Sequence, residues 1–155
     1  MADENRVNEG LDLADAGLQL MHAGDYGAAA EKFMAALEIN ETDSTTWHNL
    51  GQCFIRLQDF ENAVMAFRNA TSLNPGYAIS WNNLGSLLGM LEDWDGAAAA
   101  FDAGIKADPN YAKNHFGRGN AYLMAGDNNN ARACFQRALA IDPNYAHAKN
   151  ALAQL

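Results

Sequence analysis

Residues 44–77 read STTWHNLGQCFIRLQDFENAVMAFRNATSLNPGY, and residues 78–111 read AISWNNLGSLLGMLEDWDGAAAAFDAGIKADPNY. Laid over each other without a gap, these two stretches of 34 residues align Trp47 with Trp81, Gly51 with Gly85, Asp59 with Asp93, Phe67 with Phe101 and Pro75 with Pro109. The same interval continues outward. Gly17 and Gly119, Asp25 and Asp127, Ala29 and Ala131, and Phe33 and Phe135 extend four of the columns, and Pro143 completes the set of three prolines. Tyr77, Tyr111 and Tyr145 form a further column. So many coincident columns with no insertion identify an internal repeat, of the kind whose units bury their apolar faces against one another rather than alone.

A frame set at Gly10, Ser44, Ala78 and Ala112 divides the chain into an N-terminal segment 1–9, four units at 10–43, 44–77, 78–111 and 112–145, and a final stretch 146–155. Each unit holds two apolar stripes. Trp47, Leu50, Gly51, Phe54 and Leu57 form the first in residues 44–77, and Ala63, Ala66, Phe67, Ala70 and Leu73 form the second. Both fit one face of an α-helix. Asp25, Asp59, Asp93 and Asp127 stand where the second helix of each unit should begin, and their carboxylates suit the orphan N–H groups of a first turn. Gly24 and Gly126 can end the preceding helices. The prolines close the second helices, because proline lacks an N–H and clashes with the preceding turn. The pattern predicts an all-α chain of helix–turn–helix units. Gly at repeat position 8 and Ala at position 20 should let paired helices approach closely, with Phe at position 24 filling the space towards the neighbouring unit. The stretch 146–155 starts a further helix that caps the last unit.

Length and composition fit this reading. The chain has 155 residues, 49% of them hydrophobic, enough for a packed core. Ten Lys+Arg against 19 Asp+Glu give a formal net charge of −9. Residues 1–43 hold ten of the acids and only two bases, Arg6 and Lys32, so electrostatic steering should act at that end. The acidity argues against nucleic acid and against an anionic membrane surface. No apolar run approaches the length of a membrane span, and the first residues lack the basic start and apolar core of a signal peptide. Two cysteines make no disulfide framework. The expected compartment is reducing, most simply the cytoplasm.

The run Trp47-x-x-Leu50-Gly51-x-x-Phe54, then Ala63-x-x-x-Phe67-x-x-Ala70, then Pro75, resembles the tetratricopeptide repeat (TPR) family, and the resemblance extends over about nine-tenths of the chain. The end units depart most. Glu41 stands in the proline column, and His115 and Arg118 occupy the usual Trp and Leu positions. In residues 78–111, Gly104 replaces the usual Ala. The resemblance implies an α-solenoid wound into a right-handed superhelix, with the first helix of every unit lining a concave groove. It implies that the chain is not an enzyme, needs no cofactor, and binds a peptide or helical segment of a partner protein.

Family groove positions, carried over residue by residue, fall on Leu11, Ala14, Leu18 and Met21 in the first unit. In the second they fall on Thr45, His48, Gln52 and Ile55, with Asn49 beside them. The third contributes Ile79, Asn82, Ser86 and Gly89, with Asn83 beside them, and the fourth Lys113, Phe116, Asn120 and Leu123. His147 continues the row on the cap. The candidate peptide-binding set is therefore His48, Asn49, Gln52, Asn82, Asn83, Ser86, Lys113, Phe116 and Asn120. Asn side chains both donate and accept, so they can pair with an extended backbone without reading its sequence. The same residues would also suit an ordinary solvated face. A carboxylate clamp for heat-shock chaperone tails is not supported, since only Asn83 and Lys113 match and the bidentate Arg is missing. The apolar first-unit residues read either as a pocket or as contacts of residues 1–9, folded back or extending the first helix.

No catalytic or metal-binding motif is visible. The four histidines never fall at ligand spacing, Cys53 and Cys134 form no paired motif, and Gly117-Arg118-Gly119 lacks the third glycine and the strand of a dinucleotide loop. The histidines read as surface or groove residues, Cys134 as helix packing, and the Trp94 and Tyr26 rings as packing. Two alternatives accompany the peptide-binding reading. One is a self-associating scaffold or homo-oligomer that pairs through its C-terminal end by Leu152 and Leu155. The other is a secretion-type chaperone, by resemblance of size and charge.

Overall fold

The structure is a computed structural model that describes residues 2–155, with side chains from Glu4 onward. Met1, the first residue of the expected N-terminal segment, lies outside the described residues. Among the described residues there are nine helices and no strand: α1 (Ala2–His22), α2 (Tyr26–Ile39), α3 (Ser44–Arg56), α4 (Phe60–Leu73), α5 (Ala78–Met90), α6 (Trp94–Ala107), α7 (Ala112–Met124), α8 (Asn128–Ile141) and α9 (Ala146–Ala153). They form two compact units, one ending at Asn74 and the other running from Pro75 to Leu155. The fold is all-α. Residues 4–9 continue α1 without a break, and Leu11 stays 58% exposed on it.

Carboxylates cap α3 and the even-numbered helices, whereas α5, α7 and α9 start at Tyr77, Tyr111 and Tyr145 without a side-chain cap. Asp25, Asp59, Asp93 and Asp127 each precede an even-numbered helix. They accept from the N–H groups of Ala28 (3.1 Å), Asn62 (3.3 Å), Gly96 (2.9 Å) and Asn130 (3.1 Å). Asp43 does the same for α3, through Thr45 and Thr46. The turns inside the hairpins need a left-handed residue. Gly24 (φ 85°) and Gly126 (φ 78°) supply it at no steric cost, whereas Gln58 (φ 61°) and Glu92 (φ 64°) take the same conformation with a Cβ. α4, α6 and α8 end two residues before a proline, with Asn74, Asp108 and Asp142 extended. Asn40 adopts the same backbone (φ −136°, ψ 88°) in front of Glu41, so that exit persists without its proline.

The first unit pairs α1 with α2 and α3 with α4, and packs α2 on α3. Its core is Ala29, Phe33, Leu37, Leu50, Cys53, Ala63 and Phe67, all buried. Each Phe lies over a glycine of its own hairpin. A Cβ on Gly51 would come within 2.9 Å of Phe67, and one on Gly17 within 2.6 Å of Phe33. Absence of a side chain at repeat position 8 is therefore what admits the ring, and even a methyl group would force the helices apart.

The second unit repeats the arrangement. Phe101 covers Gly85 and Phe135 covers Gly119, and Phe101 also reaches Gly117 of the next hairpin, the role towards the neighbour that the sequence suggested. α9 seals the end. Ala148 is fully buried in one cluster with Ala131, Phe135 and Ala138, and Leu152 and Leu155 pack half-buried against it. The two leucines behind the expectation of end-to-end pairing are thus engaged within their own unit.

Irregular columns find local substitutes. Trp47 Nε1 donates to the Glu41 carbonyl (2.8 Å), and Trp81 Nε1 donates to the Pro75 carbonyl (2.9 Å). His115, in the Trp column, places Nε2 2.9 Å from the Pro109 carbonyl and makes the equivalent bond. Arg118, in the Leu column, donates to Asp102 (2.8 Å) and to the Tyr122 hydroxyl (3.1 Å), with its guanidinium over the Tyr122 ring.

Candidate functional site

The odd-numbered helices carry the candidate residues, and the structure separates them into two sets. On α3, in the first unit, His48 turns inward. It is 5% exposed, its ring stands edge-on to Phe67 with centroids 5.6 Å apart, and Nε2 lies 2.9 Å from Gln52 Nε2. Burial also holds its pKa below the ordinary 6.5. His48 is therefore a core residue and not a groove or surface one. Gln52 is spent on it, and Asn49 is half-buried beside it.

In the second unit, a cleft of about 720 Å³ opens along α5 and α7. Five candidates meet there: Asn82 and Ser86 from α5, and Lys113, Phe116 and Asn120 from α7. Asn83, one residue round the helix, does not line it. Gly89, Leu123 and His147, read as groove positions from the sequence, complete the row.

The floor comes from residues that the sequence reading assigned elsewhere. Trp94, read as packing, does pack, since a Cβ on Gly89 would come within 3.2 Å of its ring, but it also faces the cleft. Phe101 and Gly117 form the base. Phe116 belongs to an aromatic cluster with Phe135 (centroids 5.4 Å), Tyr145 (5.2 Å) and His147 (6.0 Å). Met90 and Met124 stand at the lips, 56% and 59% exposed. Both occupy repeat position 13, which the family places at the groove margin, so that signal was present in the sequence. The part played by Gly117 and Trp94 had no such signal, because it depends on which side chains are missing opposite.

The polar groups of the cleft are few. Asn82, Asn120 and Ser86 offer neutral donors and acceptors, and Lys113 a positive charge. No group of three or more His, Cys, Asp or Glu that could hold a metal exists among the described residues, and no described helix is long and apolar enough to cross a membrane. Cys53 and Cys134 are unbridged. Burial raises both thiols, Cys53 to about 11, which leaves them protonated and weakly nucleophilic at neutral pH.

Comparison with known proteins places this architecture. No curated protein sequence is recognisably similar to the chain. Among solved structures, the MamA protein matches with a TM-score of 0.88 at 19% identity, over 94% of this chain and 80% of that one. A thermophilic TPR protein of Thermus thermophilus matches with a TM-score of 0.71 at 22% identity, over 94% of this chain and 80% of that one. The APC/C hetero-tetramer Cut9–Hcn1 matches with a TM-score of 0.80 at 26% identity, over 94% of this chain but 29% of that one. These likenesses establish an all-α helical repeat fold. A model of the tetratricopeptide repeat matches residues 48–112, 82–146 and 116–155, so the chain belongs to the tetratricopeptide repeat family.

Proposed function

We propose that the protein is a non-catalytic interaction module that holds an extended segment of a partner protein in the cleft along α5 and α7. Tetratricopeptide repeats are protein-interaction scaffolds in general, and the finer reading rests on one observation. Amides from two helices, Asn82 and Asn120, face the same apolar-floored cleft together with Ser86 and Lys113. An extended peptide carries an unpaired N–H and C=O at every residue, and side-chain amides can satisfy both, while the aromatic floor takes up apolar side chains. Asn49, Gln52 and Asn83 fall outside this reading. His48 is excluded from it by burial.

The test compares wild type with a variant carrying Asn82→Ala and Asn120→Ala in pull-downs from native lysate, read by quantitative mass spectrometry. The two residues are half-buried and neither belongs to the core, so the helical content should be unchanged by circular dichroism. Proteins recovered by wild type and lost by the variant support the reading. An identical set from both removes it.

A further inference from the structure

The cleft holds more information than its amides. At the repeat position of Gly89, the other odd-numbered helices that reach it carry Met21, Ile55 and Leu123. In α5 the side chain is missing, and the Trp94 ring lies against the helix there. Trp94, Phe101 and Phe116 all line the cleft, so its lining is largely aromatic there. Met90 and Met124 flank its mouth, both more than half exposed. Two exposed methionines and an aromatic floor form an apolar patch with adaptable rims, the usual mark of a site that accepts a bulky apolar side chain without demanding one shape. Charge narrows the choice further. Among the described residues lining the cleft, Lys113 carries the one fixed charge, at an exposed position. Arg118, the other cation on α7, is committed to Asp102 at 2.8 Å.

We infer that the cleft selects peptides by one bulky apolar side chain seated between Met90 and Met124, with an acidic side chain close to it in sequence that pairs with Lys113. The inference rests on the peptide-groove reading above and names what that peptide must contain. An internal acidic residue fits better than a chain-terminal carboxylate, because the cleft offers a single ammonium and no planar guanidinium fork to hold two oxygens. Gly89 is then a positioning residue: having no side chain, it lets the Trp94 ring lie against α5, where that ring lines the cleft.

A displayed library of random linear heptapeptides, selected against the full chain, tests this. The enriched sequences should share a Leu, Ile, Met, Phe or Trp with an Asp or Glu within two residues. A synthetic fluorescent heptapeptide of the enriched sequence should bind Met90→Glu/Met124→Glu at least tenfold more weakly than wild type. Those two positions are exposed, so the double variant keeps the fold. Gly89→Leu should lose the same peptide, and selection against Lys113→Glu should replace the acid with Lys or Arg. If the enriched peptides lack an apolar anchor, or bind wild type and the methionine variant equally, the inference is overturned. The groove reading survives that result if the Asn82/Asn120 variant still loses the peptide, and falls with it if that variant binds as wild type does. A selection that enriches nothing overturns both.

Discussion

Gly104 on α6 and Asn114 on α7 occupy one volume between them. A Cβ built on Gly104 would lie 2.7 Å from Asn114 Cγ, and the Asn side chain is fully buried, with Nδ2 donating to the Ala78 carbonyl at 3.3 Å. One repeat later, the corresponding positions are Ala138 and Ala148, which share a core cluster. The sum of the two side chains matters more than either alone. Gly104→Ala should therefore cost about 1–3 kcal/mol by overpacking. Asn114→Ala should cost about 1 kcal/mol, because it removes a hydrogen bond and leaves a void, although it also removes Oδ1, which has no partner among the described residues. The double variant recreates the Ala–Ala pairing and should recover most of the loss, with a coupling of about 1 kcal/mol or more. Urea unfolding of the four proteins measures this, and additive costs would refute the shared-volume account.

Glu41 should accept proline with a gain. Asn40 before it already has the extended backbone seen at Asn74, Asp108 and Asp142 before their prolines. The bond from Trp47 goes to the Glu41 carbonyl, which proline retains, as Trp81 shows with Pro75. Glu41→Pro should stabilise the chain by about 0.4–1 kcal/mol, chiefly by restricting the unfolded state. A midpoint in urea at or below that of wild type would show that the exit is not equivalent to the others.

The turns at Gln58 and Glu92 carry a removable strain. Both residues sit in the left-handed region, where their counterparts are Gly24 and Gly126. A Cβ costs roughly 1 kcal/mol there, and glycine returns part of that gain as unfolded-state entropy. Gln58→Gly and Glu92→Gly should each raise the thermal midpoint by a degree or more, and should add, since the two turns lie in different hairpins. Calorimetry on the single and double variants checks this. A lowered midpoint would mean that the two side chains stabilise their turns.

The repeat columns made the fold readable because its packing is itself periodic. Each Phe needs a glycine opposite, and Gly51 with Phe67 or Gly119 with Phe135 announce themselves at a fixed interval. The cleft was only partly readable, since a column does not have one environment. Ala14, His48, Asn82 and Phe116 share a column, yet His48 is a core residue and Asn82 and Phe116 line an opening. The neighbours differ: the His48 ring meets Phe67 and Gln52, whereas Phe116 meets Tyr145 and His147. Arg118 shows the same from another side. Its partner Asp102 lies on the preceding helix, where no stripe or motif points to it.

His48 should make folding stability depend on pH in a defined direction. Burial in the first unit favours the neutral imidazole, and so lowers its pKa below the 6.5 of an exposed ring. With the folded value below the unfolded one, the two states bind equal numbers of protons well above 6.5, and the stabilisation from the neutral ring is fully present there. As pH falls below that value, the unfolded chain takes up a proton that the folded chain resists, and stability declines until the folded pKa is passed. Urea midpoints taken from about pH 7.5 down to about pH 5.5 should therefore fall for wild type, in a window above the range where carboxylates dominate. His48→Gln keeps a polar group of similar reach beside Gln52 but cannot titrate. It should lower stability overall while flattening the slope in that window. If the two proteins lose stability in parallel, the slope belongs to other groups, and the ring tolerates its charge at the edge of Phe67.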